Sequence, residues 1–140
     1  MRPEALKALR RSDLILHAGD VGSQAILDVL AMIAPVVAVR GNNDTGEWAA
    51  NLAEREVIKA GACSIYLLHN ANELDLDPVA RGFRVVISGH SHRPSNEKRD
   101  GVLYLNPGSA GPRRFKLPVA VARLQIEGAR IRVKIVELSV

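Results

Sequence analysis

Apolar and polar positions along this chain follow two periods, and the switches between them mark its elements. Leu6 and Leu9 stand three apart behind Pro3 and Glu4, which predicts an amphipathic helix ending near Arg11. Leu14-Ile15-Leu16 then reads as a strand running into His17-Ala18-Gly19-Asp20. Ser23 is placed to cap a second helix, whose Ile26, Leu27, Leu30 and Ile33 keep helical spacing until Pro35 ends it. Val36-Val37-Ala38-Val39 is a β-branched run that empties into Arg40-Gly41-Asn42-Asn43-Asp44. Strand and helix have alternated to this point, as in an α/β domain.

The middle of the chain changes character. Glu56 to Lys59 and Ser64 to Leu68 flank Ala60-Gly61 and predict an antiparallel hairpin ending at His69. Asp77-Pro78 is expected to open a short third helix that closes at Gly82. Val85-Val86-Ile87-Ser88 reads as a buried strand delivering Gly89-His90-Ser91-His92, and Leu103-Tyr104-Leu105 leads into Asn106-Pro107-Gly108-Ser109. Val119, Val121, Ile131, Val133 and Ile135 alternate with other residues around Glu127-Gly128, which predicts a two-stranded ending. No interior stretch has the composition of a linker, so a single domain over residues 1–140 is expected.

Composition narrows the class. At 47% hydrophobic and 24% charged residues the chain has an ordinary globular balance, and no apolar run approaches the roughly 20 residues that cross a bilayer. No secretory h-region follows Met1-Arg2-Pro3-Glu4, so a cytoplasmic location is expected. Cys63, the one cysteine, is expected to pack, and Trp48 likewise. The 19 Lys and Arg against 15 Asp and Glu give a modest basic excess. The basic residues form short groups, Arg10-Arg11, Lys98-Arg99 and Arg113-Arg114 with Lys116. They lack the dense stripe of a nucleic-acid binder, so nucleic acid is not an expected partner.

One regularity joins the segments. Asp20, Asn42, His69, His90 and Asn106 each follow an apolar strand, and ligands of α/β sheets bind beyond strand carboxyl ends. Each of these residues alone has an ordinary reading, as a turn carboxylate, a turn amide or a hydrogen-bonded histidine. His17 is read in that last way, as a hydrogen-bonded histidine at a strand end. Together with His92 the set offers a carboxylate, an amide oxygen and three imidazoles, a mixture that suits Mn, Fe, Zn, Ni or Co better than Ca or Mg. A pair of such ions about 3.5–4 Å apart activates a hydroxide and clamps an in-line phosphoryl displacement, so phosphoester hydrolysis is the expected chemistry.

Gly19-Asp20, Gly41-Asn42-Asn43-Asp44, His69 and Gly89-His90-Ser91-His92 resemble the ordered motifs of the calcineurin-like metallophosphoesterases, particularly the small YfcE-like phosphodiesterases. Leu105-Asn106-Pro107-Gly108-Ser109 with Pro112-Arg113 resembles that subgroup's closing loop. The resemblance implies a layered αββα sandwich and a metal-bound hydroxide acting on a small phosphorylated substrate. It implies that Asp20 bridges two ions, that Asn42, His69 and His90 complete one, and that His92 serves the other. Asn106 and Arg113 would bind phosphate. Asn43 stands where many members of the superfamily carry a catalytic His, and Asp44 beside it would act with it or tie down its loop.

The family's opening strand, ending in Asp-x-His, has no counterpart here, and Met1 aligns with the loop beyond it. The resemblance therefore implies an N-terminally shortened sheet, exposed backbone on the two neighbouring strands, a weakened His92 site and a fold that leans on homo-oligomer contacts. A single-ion hydrolase is one alternative. A catalytically impaired scaffold is another, because the same fold serves the eukaryotic retromer coat as a protein-binding subunit.

Overall fold

A computed structural model describes residues 3–110 and 120–138 of the chain. Its elements run α1 (Pro3–Ala8), β1 (Ile15–His17), α2 (Gln24–Ala31), β2 (Val36–Ala38), β3 (Arg55–Ala60), β4 (Cys63–Leu68), β5 (Val85–Ile87), β6 (Ser95–Arg99), β7 (Val102–Asn106), β8 (Ala120–Glu127) and β9 (Arg130–Glu137). Strands β3-β4-β5-β7-β6 form one mixed sheet, parallel through β4, β5 and β7 and antiparallel at both edges. Facing it lie two strand pairs, parallel β1-β2 and antiparallel β8-β9.

Burial explains the layering. Val85, Val86 and Ile87 are all buried, as expected of a strand covered on both faces. Ile65, Leu67, Val85, Ile87 and Leu105 meet Leu16, Val37, Ala122, Leu124 and Ile135 between the layers. Outside β1 and β2, Leu6, Ile26 and Leu30 of the helices, with Leu9 just beyond α1, close a second cluster with Ile15. The outer face of the larger sheet is covered by Tyr66, Leu68, Phe83, Leu74 and Leu76. The expected α/β layered class is thus the observed one.

Several local expectations are corrected. The helix expected at Asp77–Gly82 is a single hydrogen-bonded turn. Asp77 Oδ1 accepts from the Val79 N–H, Arg81 N–H reaches Asp77 O, and Gly82 at φ +78 stops it before propagation can repay nucleation. The first helix ends at Ala8, with Arg11 at φ +69 turning the chain toward β1. Ser23 occupies the N-cap position of α2 without a side-chain cap bond. Val121 does not share a face with Ile131, Val133 and Ile135. Glu127 pairs with Arg130 across a tight loop, so the even positions Ala122, Leu124 and Ile126 oppose the odd positions of β9.

Candidate metal centre

All five strand-end residues emerge at the carboxyl ends of their strands. β1 leads to Asp20, β2 to Asn42, β4 to His69, β5 to His90, and β7 ends in Asn106. His69 is the centre of the arrangement. It is buried, its Nδ1 lies 2.6 Å from the Ala18 carbonyl, and its Nε2 lies 3.3 Å from Asp20 Oδ2 and 3.3 Å from His90 Nδ1. A carbonyl can only accept, so His69 Nδ1 carries a hydrogen and donates it. In the neutral ring Nε2 then holds a lone pair aimed at a carboxylate oxygen, an arrangement that a positive charge between them stabilises. The rings of His69 and His90 meet edge to face, with centroids 5.1 Å apart.

Two glycines make this approach possible. A Cβ on Gly19 would lie 2.6 Å from His69 Nδ1, and one on Gly41 would strike the backbone nitrogen and carboxylate of Asp20. Asp20, His90 and His92 hold left-handed backbone conformations at φ +54, +69 and +60, uncommon for side chains with a Cβ and concentrated at this one site.

Asp44 fastens the two loops. Buried, it accepts from the Val21 and Gly41 N–H groups at Oδ2 (3.1 and 2.9 Å) and from Gly22 N–H at Oδ1 (3.0 Å). Asn43 N–H donates to Asp20 Oδ1 at 2.9 Å, while the Asn42 and Asn43 side chains are exposed at the rim. Asn106 is committed to the scaffold. Its Nδ2 donates to Gly89 O and Ser91 Oγ, both at 3.0 Å, and its Oδ1 accepts from Gly108 N–H at 2.9 Å. It therefore braces the loop that carries His90 and His92. His17, as expected, serves the strand end: its Nδ1 accepts from Gly19 N–H at 3.2 Å. Burial pushes its pKa down, against the pull of Asp44 and Asp20.

The structure thus brings Asp20, His69 and His90 together pairwise through His69, and His92 lines the same cavity. Among the described residues no three ligand side chains form a closed, ready-made cage. Asn42 opens instead on an adjoining pocket that it shares with His69, Arg40 and Arg55. Arg113 lies outside the described residues. Arg40 and Arg55 were not expected here. Arg40 could have been flagged, since it directly precedes Gly41-Asn42 at a strand end, whereas Arg55 reaches the pocket from the start of β3 with no sequence signal. Oxygen and imidazole donors around His69 Nε2 fit a divalent transition ion, and the described site has no thiolate that would favour a structural zinc.

Residues 1–129 match the calcineurin-like phosphoesterase superfamily domain. The chain belongs to that family. A probable metallophosphoesterase of Methanothermobacter thermautotrophicus is 35% identical over 96% of this chain and 81% of its own length. A novel archaeal phosphodiesterase superposes with a TM-score of 0.71 at 20% identity, covering 94% of this chain and 89% of its own. Vps29 of Chaetomium thermophilum superposes with a TM-score of 0.77 at 21% identity, over 96% and 87%. By lineage this calcineurin-like phosphoesterase is a phosphodiesterase-type enzyme, in line with relatives named metallophosphoesterase and phosphodiesterase.

Proposed function

We propose that this chain is a metal-dependent phosphodiesterase that hydrolyses a phosphodiester or another small phosphorylated substrate. The observation that carries the reading is His69 Nε2, turned by the Ala18 carbonyl toward Asp20 Oδ2 and His90 Nδ1, each at 3.3 Å. Asp20, His69 and His90 would hold one divalent transition ion, Mn first among Mn, Fe, Zn, Ni and Co, with Asn42 completing the shell and His92 serving a weaker second site. Such an ion neutralises phosphoryl charge and acidifies water.

The chain's own groups do the rest. Asp44 sets the separation of the Asp20 and Asn42 loops, and Asn106 sets the His90 loop, so both act by positioning. The exposed Asn43 amide is suited to hydrogen-bond a phosphoryl oxygen, although it cannot transfer a proton. Arg113 is the proposed phosphate contact. A second reading, an impaired phosphoesterase fold serving as a binding scaffold, is supported by the pairwise rather than closed grouping of the ligands.

The deciding experiment measures Mn²⁺ retained after desalting together with hydrolysis of bis(p-nitrophenyl) phosphate. Retained metal and Mn²⁺-dependent turnover are expected, with His90→Ala lowering turnover by at least about a hundredfold. No retained ion and no hydrolysis above buffer would overturn the enzyme reading in favour of the scaffold.

A further inference from the structure

Beside the candidate ion site lies a pocket of about 240 Å³ whose wall carries Arg40 and Arg55. His69 borders both this pocket and the cavity of Asp20 and His90, so the two spaces meet at one imidazole. Topology brings both arginines there. Arg40 follows β2 and precedes Gly41-Asn42, and its N–H donates to Ala53 O at 2.8 Å, which draws the start of β3 alongside. In the β3-β4 register Arg55 then stands opposite Leu68, the residue before His69.

The two guanidiniums share one carboxylate. Glu54 Oε1 lies 3.0 Å from Arg40 Nη2 and its Oε2 3.7 Å from Arg55 Nη1. The arginine side chains are 35% and 30% exposed, whereas Glu54 is 66% exposed, and an ion pair so open to water holds its carboxylate weakly. Arg55 is fixed from its other side. Its Nη2 donates to Glu73 O at 2.9 Å, and Asp75 Oδ1, which accepts from the Tyr66 hydroxyl at 3.2 Å, stands 3.7 Å from its Nε. That Nε is buried, and among the described residues no acceptor comes within hydrogen-bond reach of it, so the fold alone does not satisfy this guanidinium. With Glu54 turned out to solvent, Asp75 is the one carboxylate still ion-paired with either arginine among the described residues. The pair then carries surplus positive charge. Glu54 thus occupies the place of an oxyanion ligand, with one oxygen on each guanidinium.

We propose that Arg40 and Arg55 form a second phosphate-binding subsite, that Glu54 is its displaceable plug, and that the substrate is a phosphodiester carrying a further, terminal phosphate group. The substrate part rests on the phosphodiesterase reading: the scissile phosphoryl group sits with Asp20, His69 and His90, and the additional phosphate lies on the other side of His69, against the arginines. A phosphate displaces Glu54 because it brings close to two negative charges and three free oxygens to donors that match oxyanions in pairs. A carboxylate on the substrate would bring no more charge than Glu54 already supplies. A diester without a second phosphate leaves the plug in place and gains nothing from the arginine pair, so the subsite acts on specificity.

The first test titrates inorganic phosphate into the whole chain in EDTA by calorimetry, with acetate as the carboxylate control. One saturable phosphate site is expected, at least about tenfold weaker in Arg55→Gln and about threefold tighter in Glu54→Gln, because the uncharged plug no longer competes. The second test compares Mn²⁺-dependent hydrolysis of thymidine 5′-(p-nitrophenyl phosphate) with that of the same ester phosphorylated at its 3′ oxygen. The phosphorylated ester is expected to have a kcat/KM at least about tenfold higher, a preference that Arg40→Gln and Arg55→Gln each erase. If either arginine variant fails to fold, the other and the exposed Glu54→Gln still decide. The proposal is overturned by phosphate that does not saturate, by Glu54→Gln that binds it no tighter, by acetate that binds as well, or by equal kcat/KM for the two esters. Phosphate binding that follows the variants without hydrolysis of either ester supports the subsite and overturns the phosphodiesterase reading alone.

Discussion

The five-stranded sheet and the layer facing it both send short apolar strands to the site, but they fix the delivered side chains differently. β4, β5 and β7 each have partners on both sides, and the main chain continues that order past the strand ends, with Gly89 N–H on His69 O at 2.8 Å and Ser88 N–H on Leu105 O at 3.0 Å. Among the described residues, β1 has three residues and one partner strand. Beyond it, Asp20 is placed by side-chain chemistry: the Asp44 clamp on Val21, Gly22 and Gly41, and the Asn43 N–H on its own carboxylate. Backbone pairing spreads the work of placement over many bonds, whereas a clamp concentrates it in one residue. Single substitutions should therefore act very unequally on the two sides.

The largest effect is expected from Asp44→Ala. It leaves three backbone donors without their acceptor near a buried position, and hydrogen bonds to a charged group contribute about 1.5–3 kcal/mol each, so a loss of at least about 4.5 kcal/mol is expected in urea unfolding. A loss under about 1 kcal/mol would mean that the loops hold themselves and that the contrast is wrong. Gly19→Ala comes next. Its Cβ would sit 2.6 Å from His69 Nδ1 on a backbone at φ +99, so about 1–3 kcal/mol of strain is expected, together with weaker Mn²⁺ retention. Unchanged metal retention in a folded Gly19→Ala protein would separate the glycine from the site.

These two residues also show how far the sequence could be read. The strand-end series Asp20, Asn42, His69, His90 and Asn106 was legible because apolar runs stop abruptly at polar residues, and the structure places all of them at strand carboxyl ends. Their individual tasks were not. Whether an Asn faces substrate or braces a loop depends on neighbours remote in sequence, and Asn106 turned out to hold Gly89 and Ser91. β6 escaped the pattern because Ser95–Arg99 is exposed throughout and has no apolar alternation. Its signal was the Asp100-Gly101 hairpin dipeptide, whose residues sit at φ +52 and +80.

Acid should weaken the clamped side first. Burial holds the His17 pKa below the ordinary 6.5, against Asp44 and Asp20, and its Nδ1 must stay unprotonated to accept from Gly19. On acidification through about pH 6.5 the unfolded chain takes up this proton before the folded chain does, so stability falls with falling pH until the folded pKa is passed. His17→Asn keeps an acceptor without a titrating ring and should flatten that part of the pH–stability curve. An identical acid slope in the variant would assign the loss to other groups.

The smallest effect should come from the far edge of the paired sheet. Arg99 lies over the Tyr104 ring, 4.0 Å from its centroid, and is more than half exposed. Exposed contacts of this kind contribute about 0.5–1 kcal/mol, so Arg99→Ala should lower stability by about that much. Its strand remains tied to β7 by the main chain through five register pairs, which the substitution leaves in place. Mn²⁺ retention should therefore match the parent chain, in contrast to Gly19→Ala. A matched loss of metal binding in Arg99→Ala would mean that disturbance at the sheet edge travels through β7 to Asn106 and the His90 loop. The backbone-paired side would then be as dependent on single side chains as the clamped one.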